Sequence, residues 1–243
     1  MRADSRLTNE LRAVTIVPGY LKTAEGSALI TVGNTQVLCA ASVESSVPAF
    51  LRNSGKGWIS GEYGMLPRST LTRTARESAK GKQSGRTQEI QRLIGRSLRA
   101  VTDLKGLGER TIWIDCDVIQ ADGGTRTASI TGAFVALGLA LQRLIDAGTL
   151  SAAPVKDFVA AISIGIVDGE VLLDLNYEED SRADVDMNFV MTAGNKIVEL
   201  QATAEHQVFD DAQLARMISM ARQGIQSLIA KQQALLGTLA LRQ

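Results

Sequence analysis

The sequence is poor in the residues that staple or metal-load small domains. It has two cysteines, Cys39 and Cys116, and a single histidine, His206. Both cysteines sit in apolar, strand-like runs without C-x-x-C spacing, so they read as buried thiols of a reducing cytoplasm. Two separated cysteines and one histidine do not make a zinc site. His206 has nothing nearby in the chain to complete a triad, which leaves Ser-His-Asp and Cys-His catalysis with weak support and His206 as a structural residue. Long hydrophobic runs are also missing. The longest nearly apolar stretch, 132–141, is about half of the roughly 20 residues that a membrane span requires. No apolar core follows the charged start Arg2-Ala3-Asp4-Ser5-Arg6, so no signal peptide is expected. Net charge is absent as well, with 26 basic and 26 acidic residues, while 45% of the chain is apolar. Disorder is thereby excluded, and 243 residues suffice for one large domain or two small ones.

The neutral total conceals two opposed segments. Arg68 to Arg110 carries eleven basic residues against four acids, and Gly165 to Asp211 carries twelve acids against Arg182 and Lys196. A basic segment is the footprint of a polyanion partner, and clustered carboxylates suit a hard cation. Mutual attraction of the two segments is the competing explanation.

Along the chain, 27–32 and 36–43 alternate in polarity around Gly33-Asn34-Thr35, which predicts a hairpin with a three-residue connection. Residues 44–84, rich in Gly, Ser, Thr and Arg, predict a long functional loop. From Ser84 the period becomes helical, with Ile90, Leu93, Ile94, Leu98 and Val101 on one face and Arg92, Arg96 and Arg99 as a stripe on another. A strand over 111–119 then leads through Gly123-Gly124-Thr125-Arg126 into a buried helix at about 127–146. Hairpin signals recur around 168–170 and 193–196, and an amphipathic helix runs from Asp210 or Asp211 to about Gly237. The repeated order implies an α+β fold of two similar fused sheet-and-helix halves, about 1–146 and 158–243, within a single domain spanning 1–243.

Three places can hold chemistry. At Gly123-Gly124-Thr125-Arg126 the backbone can approach a ligand, a helix start offers unpaired N–H groups, and Arg126 adds a fork suited to phosphate; a capped tight turn is the plainer alternative. Arg86 opens the earlier helix, where a cation is electrostatically disfavoured unless an anion is shared, a surface arginine being the alternative. No phosphate loop of the nucleotide-binding kind competes, because Gly81-Lys82-Gln83-Ser84-Gly85-Arg86-Thr87 has the wrong spacing, and Gly106-Leu107-Gly108 lacks a preceding strand. In the acidic segment, Asp184 and Asp186 share a strand face by period two, and Asp180 can fold back beside them. Such a cluster fits a Mg²⁺ site, a carboxyl of raised pKa acting as general acid, or a solvated loop. Asp115 and Asp117 form a rival pair on one strand face.

Four long strings carry a family resemblance: Ser60-Gly-Glu-Tyr-Gly-Met-Leu-Pro-Arg68, Gly81-Lys-Gln-Ser-Gly-Arg-Thr-Gln-Glu-Ile90, Asp115-Cys-Asp-Val-Ile-Gln-Ala-Asp-Gly-Gly-Thr-Arg-Thr127 and Glu179-Asp-Ser-Arg-Ala-Asp-Val-Asp-Met-Asn188. In order and across almost the whole chain, they resemble the ribonuclease PH family. The resemblance implies a phosphate-dependent 3′→5′ exoribonuclease that releases nucleoside 5′-diphosphates from tRNA precursors, works reversibly as a nucleotidyltransferase, and forms a hexameric ring as a trimer of dimers. It assigns inorganic phosphate to Arg86, Gly124, Thr125 and Arg126, and general-acid and Mg²⁺ roles to Asp180 and Asp186. Asp180 is the preferred proton donor, Asp186 the preferred metal ligand, and Asp184 is able to take part. Arg68, Arg73, Arg76, Arg92, Arg96 and Arg99 are then candidates for RNA or ring contacts. With aromatics at 4%, base stacking contributes little and sequence preference should be weak.

Overall fold

A computed structural model describes residues 2–237. The first hairpin forms as expected from β2 (Gly26–Val32) and β3 (Thr35–Glu44), with Val32 paired to Thr35, so its connection is the two residues Gly33 and Asn34 rather than three. β3 also pairs antiparallel with β5 (Thr111–Gln120). Two further strands depart from the sequence reading. β1 (Val14–Pro18) extends the sheet beyond β2, and β4 (Trp58–Met65) lies inside the segment expected to be a loop. β4 pairs parallel with β5 and completes a five-stranded sheet in the order β1-β2-β3-β5-β4.

Glycine is the reason β4 is hard to see. Ile59 and Tyr63 are buried on one face, and Gly61 takes the position between them. A Cβ at Gly61 would lie 3.0 Å from Gln91 O and Ile94 Cβ, both on α1 (Gly85–Ala100). The residue that dilutes the strand signal is the one that lets the helix close on the sheet. A short helix, α2 (Leu104–Leu107), then returns the chain to β5.

The second half forms a four-stranded antiparallel sheet from β6 (Val159–Val167), β7 (Glu170–Leu173), β8 (Val185–Thr192) and β9 (Ile197–Ala204), in the order β7-β6-β8-β9. Between β7 and β8 sits one turn of helix, α4 (Tyr177–Asp180). Helix α3 (Thr125–Asp146) packs on β2 and β3 and reaches β6, and α5 (Asp211–Leu236) covers β6 and β7. By length and composition α3 could cross a membrane, but 72% of its apolar window is buried, as suits the helix that both sheets share. Phe134 of α3 meets Phe158, just before β6, at 5.1 Å between ring centroids. From α5, the buried Gln232 amide donates to Thr131 O and Val159 O, both at 3.0 Å, and so ties three elements together. One continuous apolar cluster runs through both halves.

Candidate active site

The glycine turn is held open by its surroundings. Gly123 and Gly124 have φ of 73° and 66°, which β-carbon-bearing residues adopt at a cost. A Cβ on Gly123 would lie 2.5 Å from Leu175 O and 2.9 Å from Tyr177 N, so the turn can tuck beneath the segment entering α4 only as glycine. Thr35 Oγ1 donates to Gly123 O at 2.7 Å, Asp122 Oδ1 accepts from Tyr177 N at 3.1 Å, and the Arg12 guanidinium donates to Asp122 O. At the start of α3 no side chain caps the helix, whereas Ser84 caps α1, Asn176 caps α4 and Asp210 caps α5. The first amides of α3 are thus left for a ligand, with the positive end of the helix dipole behind them.

The acidic side is built with equal care. Asn176 and Glu179 form a reciprocal capping box on α4, and Glu179 is buried against Arg2 with Nε–Oε1 of 2.7 Å. That single turn carries Asp180 at its end. Asp186 is the second residue of β8, and the buried Asn188, two residues on, donates to Asp186 Oδ2 at 3.3 Å. Arg86, Gly124, Thr125, Arg126, Asp180 and Asp186 line one cleft of about 270 Å³, together with Ser163, Tyr177, Asn188 and Met65. Residues about a hundred positions apart converge there.

The charges in this cleft act on one another. Desolvation by the cleft walls is the main force raising the Asp186 carboxyl, and the neighbouring Asp180 pushes the same way, bringing it to about 6 against the pull of Arg126 and Asn188. Asp180 keeps solvent contact at the rim, yet desolvation raises it too, with Arg86 and Arg126 pulling it down and Glu205 pushing it up. Arg126 is largely buried and donates to Gln201 Oε1 at 3.1 Å, with Glu89 Oε2 at 3.4 Å, so it links α1, α3 and β9. Ser163 Oγ is buried and has no hydrogen-bond partner among the described residues, although it belongs to the cleft lining. An unsatisfied buried hydroxyl facing an anion cradle is a donor awaiting an acceptor.

Residues 10–141 match the model for the 3′ exoribonuclease family, domain 1, and residues 157–224 match its domain 2. The chain belongs to the 3′ exoribonuclease family. Ribonuclease PH of Solibacter usitatus is 62% identical over 236 residues, covering 97% of this chain and 99% of the relative. Ribonuclease PH of Moorella thermoacetica is 61% identical over 242 residues (100% and 97%), and that of Bacillus subtilis 61% over 238 residues (98% and 97%). Among solved structures, the Archaeoglobus fulgidus exosome with RNA bound to the active site superposes with a TM-score of 0.80 at 23% identity, covering 95% of this chain and 92% of that one. Rice (Oryza sativa) Rrp46 gives 0.77 at 22% identity, covering 97% and 100%. These two share the fold.

Within this member of the 3′ exoribonuclease family, the other residues picked out from sequence divide into groups. Asp184 does not join the cleft. It precedes β8, so the period-two argument does not reach it, and it lines a separate groove with Asp168, Arg182 and Gln213. Asp117 faces a larger neighbouring hollow of about 640 Å³ with Arg76, and Asp115 lines neither space. Arg76 and Arg86 line that hollow, which adjoins the cleft through Arg86 and Met65, whereas Arg68 and Arg73 are exposed beside it and Arg68 donates to Leu71 O. The expected stripe on α1 splits. Arg92 is exposed, Arg96 pairs with Glu199 at 2.7 Å, and Arg99 stacks on Trp58 at 4.3 Å while donating to Ile59 O at 2.6 Å. Arg99 is thus engaged in packing, unlike the exposed Arg92. Sequence reasoning missed Tyr63, Ser163 and Asn188, as well as the buried set Arg2, Arg12, Asp174 and Glu179 behind the turn. No local pattern marks these, because their partners lie far away in the chain.

Proposed function

We propose that this 3′ exoribonuclease is phosphorolytic and acts on the 3′ ends of tRNA precursors. The observation that carries the reading is the convergence of Arg86, the uncapped start of α3 and the Asp180–Asp186 pair in one cleft. A hydrolase needs no anion cradle to hold water. Arg86, Gly124, Thr125 and Arg126 hold inorganic phosphate, and fixed positive charge brings one anion against another. A phosphate oxygen bonds to the phosphorus of the last diester, the P–O3′ bond breaks, and the 3′-oxygen leaves with a proton while a nucleoside 5′-diphosphate is released. One of Asp180 and Asp186 supplies that proton, and desolvation raises both carboxyls, Asp186 to about 6. The exchange of a diester for a phosphoanhydride is close to balanced, so the same cleft also adds nucleotides when diphosphates are abundant.

Among the described residues no group of three or more His, Cys, Asp or Glu is placed to hold a metal ion. Two carboxylates nevertheless fit Mg²⁺, which is commonly held by one or two carboxylates plus substrate phosphates, and the Asp180 repulsion that adds to desolvation in raising Asp186 is what a cation would relieve. Asp180 and Asp186 would hold it, and when bound it would neutralise charge on the phosphate oxygens. Arg68, Arg73, Arg76, Arg92 and Arg96 remain candidates for the RNA backbone or neighbouring subunits. A hexameric ring would cover some of the largely exposed apolar side chains such as Leu71 and Val208. The two halves form one domain, as their shared core supports. The unbonded thiols of Cys39 and Cys116, 3.8 Å apart, suit a reducing cytoplasm.

The test uses a 3′-labelled RNA with a short trailer, Mg²⁺, and inorganic phosphate present or omitted. Diphosphates released only with phosphate are the expected result, and monophosphates without phosphate would make the enzyme a hydrolase. In the same assay, Arg86→Ala should raise the KM for phosphate by about 10- to 100-fold, as loss of a charged hydrogen bond predicts, and leave RNA affinity nearly unchanged. Equal loss of both would remove Arg86 from the phosphate site.

A further inference from the structure

We propose that Tyr63 is a positioning residue for the incoming phosphate: its phenol donates to Thr125 Oγ1, which leaves the Thr125 hydroxyl proton free for the anion. The inference rests on the phosphate reading of the cleft and adds to it a residue on β4 that does not touch the ligand.

Tyr63 is 6% exposed and its Oη lies 2.9 Å from Thr125 Oγ1, inside the usual range for O–H···O. Thr125 is the first residue of α3 and lines the cleft. A hydroxyl has one proton, so the direction of this bond decides what the anion meets. Were Thr125 to donate to Tyr63, its proton would point away from the cleft and present a lone pair to a phosphate oxygen. With Tyr63 donating, phenol, threonine and phosphate form a relay in which each bond polarises the next. Two other features favour that direction. The backbone of Thr125 is already fixed by Ser129 Oγ, which donates to Thr125 O at 2.8 Å, so only the hydroxyl rotor remains to be set. Burial also raises the phenol above its ordinary value, against the hydrogen bond with Thr125 and then the pull of Arg86 and Arg126, so Tyr63 keeps its proton at neutral pH.

The experiment compares wild type, Tyr63→Phe, Thr125→Ala and the double variant, with inorganic phosphate varied at saturating RNA and RNA affinity measured separately. Phenylalanine keeps the ring and removes only the donor. Tyr63→Phe should raise the KM for phosphate about three- to tenfold, the size of one neutral hydrogen bond, with kcat and RNA affinity within twofold. In the Thr125→Ala background the second substitution should have no further effect, because the hydroxyl through which Tyr63 acts is gone. A phosphate KM unchanged in Tyr63→Phe, equal losses toward phosphate and RNA, or an undiminished effect without the Thr125 hydroxyl would each overturn the relay. Should Tyr63→Phe fold poorly, 3-fluorotyrosine at position 63 decides: its more acidic phenol keeps the ring and donates more strongly to Thr125 Oγ1, so the phosphate KM should fall, and a KM that rises or does not move would overturn the relay. Wild type that needs no phosphate would overturn the phosphorolytic reading itself, which is a separate outcome.

Discussion

Asp186→Asn lowers phosphorolysis by about 10²–10⁴-fold, the usual contribution of a positioned acid, and at the same time makes the metal-free protein more stable at pH 7.5. The two effects have one origin. A carboxyl held at about 6 in the fold, against 3.8 ordinarily, favours the unfolded state wherever the unfolded chain ionises it more readily. Below pH 3.8 both states keep the proton and nothing is lost. Between 3.8 and 6 stability falls as pH rises, and above 6 the whole penalty is present. The full shift corresponds to about 3 kcal/mol, which the partial exposure of Asp186 reduces to about 2 kcal/mol. Asparagine removes it, so thermal unfolding in chelator at pH 7.5 should rise by about 4–8 °C for a chain of this size. At pH 4 the difference should nearly vanish. Equal unfolding temperatures for the two proteins at both pH values would show that the fold does not strain this carboxylate.

That strain separates Asp186 from its neighbours. Arg86 and Arg126 restrain Asp180, whereas Asp186 has only Arg126 and the weak bond from Asn188 against both burial and the Asp180 charge. The cleft places the Arg86 and Arg126 cations against a carboxyl that resists ionisation, so neither set of groups is fully neutralised internally. The link between Arg126 and Glu89 is the nearest approach to such neutralisation, at 3.4 Å and with Glu89 partly exposed.

The sequence made much of this legible wherever the signal is local. Hairpins, the helix from Asp211 and both helix starts are set by patterns a few residues long; Arg86 stands out because a cation at a helix start is electrostatically odd, and Arg126 because its guanidinium follows a glycine turn. What stayed hidden depends on distant partners. β4 loses its apolar signature at Gly61, the glycine that α1 demands, and β1 is a short edge strand with its outer residues exposed. Arg99 looks like its neighbours Arg92 and Arg96 until Trp58, from β4, is placed beneath it. Asp184, just before β8, lines a separate groove with Asp168 and Arg182. Tyr63 and Thr125 are 62 residues apart, and nothing local predicts that they meet.

The second large effect is expected behind the cleft, at Asp174. Arg12 Nη2 lies 2.7 Å from Asp174 Oδ1, Arg12 N donates to Asp174 Oδ2 at 2.8 Å, and Arg6 approaches the same carboxylate at 3.6 Å, all with side chains at most 8% exposed. Arg12 in turn donates to Asp122 O and reaches Gly123 O at 3.4 Å, while Arg2 joins Asp174 O to the Glu179 carboxylate. The N-terminal segment therefore clamps the glycine turn and α4 in one buried ionic set. Asp174→Asn keeps the shape and tolerates the residue's φ of 55°, but it leaves Arg12 without its charge partner. Breaking one member of a buried pair costs about 3–5 kcal/mol, far more than an exposed pair would. Chemical denaturation should detect that loss, and Arg12→Met alone should cost a similar amount. In the double variant no charge is left stranded, so the combined loss should be smaller than the sum of the two by at least 1 kcal/mol or so. Additive losses would mean that Asp174 and Arg12 act on stability independently, and the clamp would then not be what fixes the glycine turn against α4.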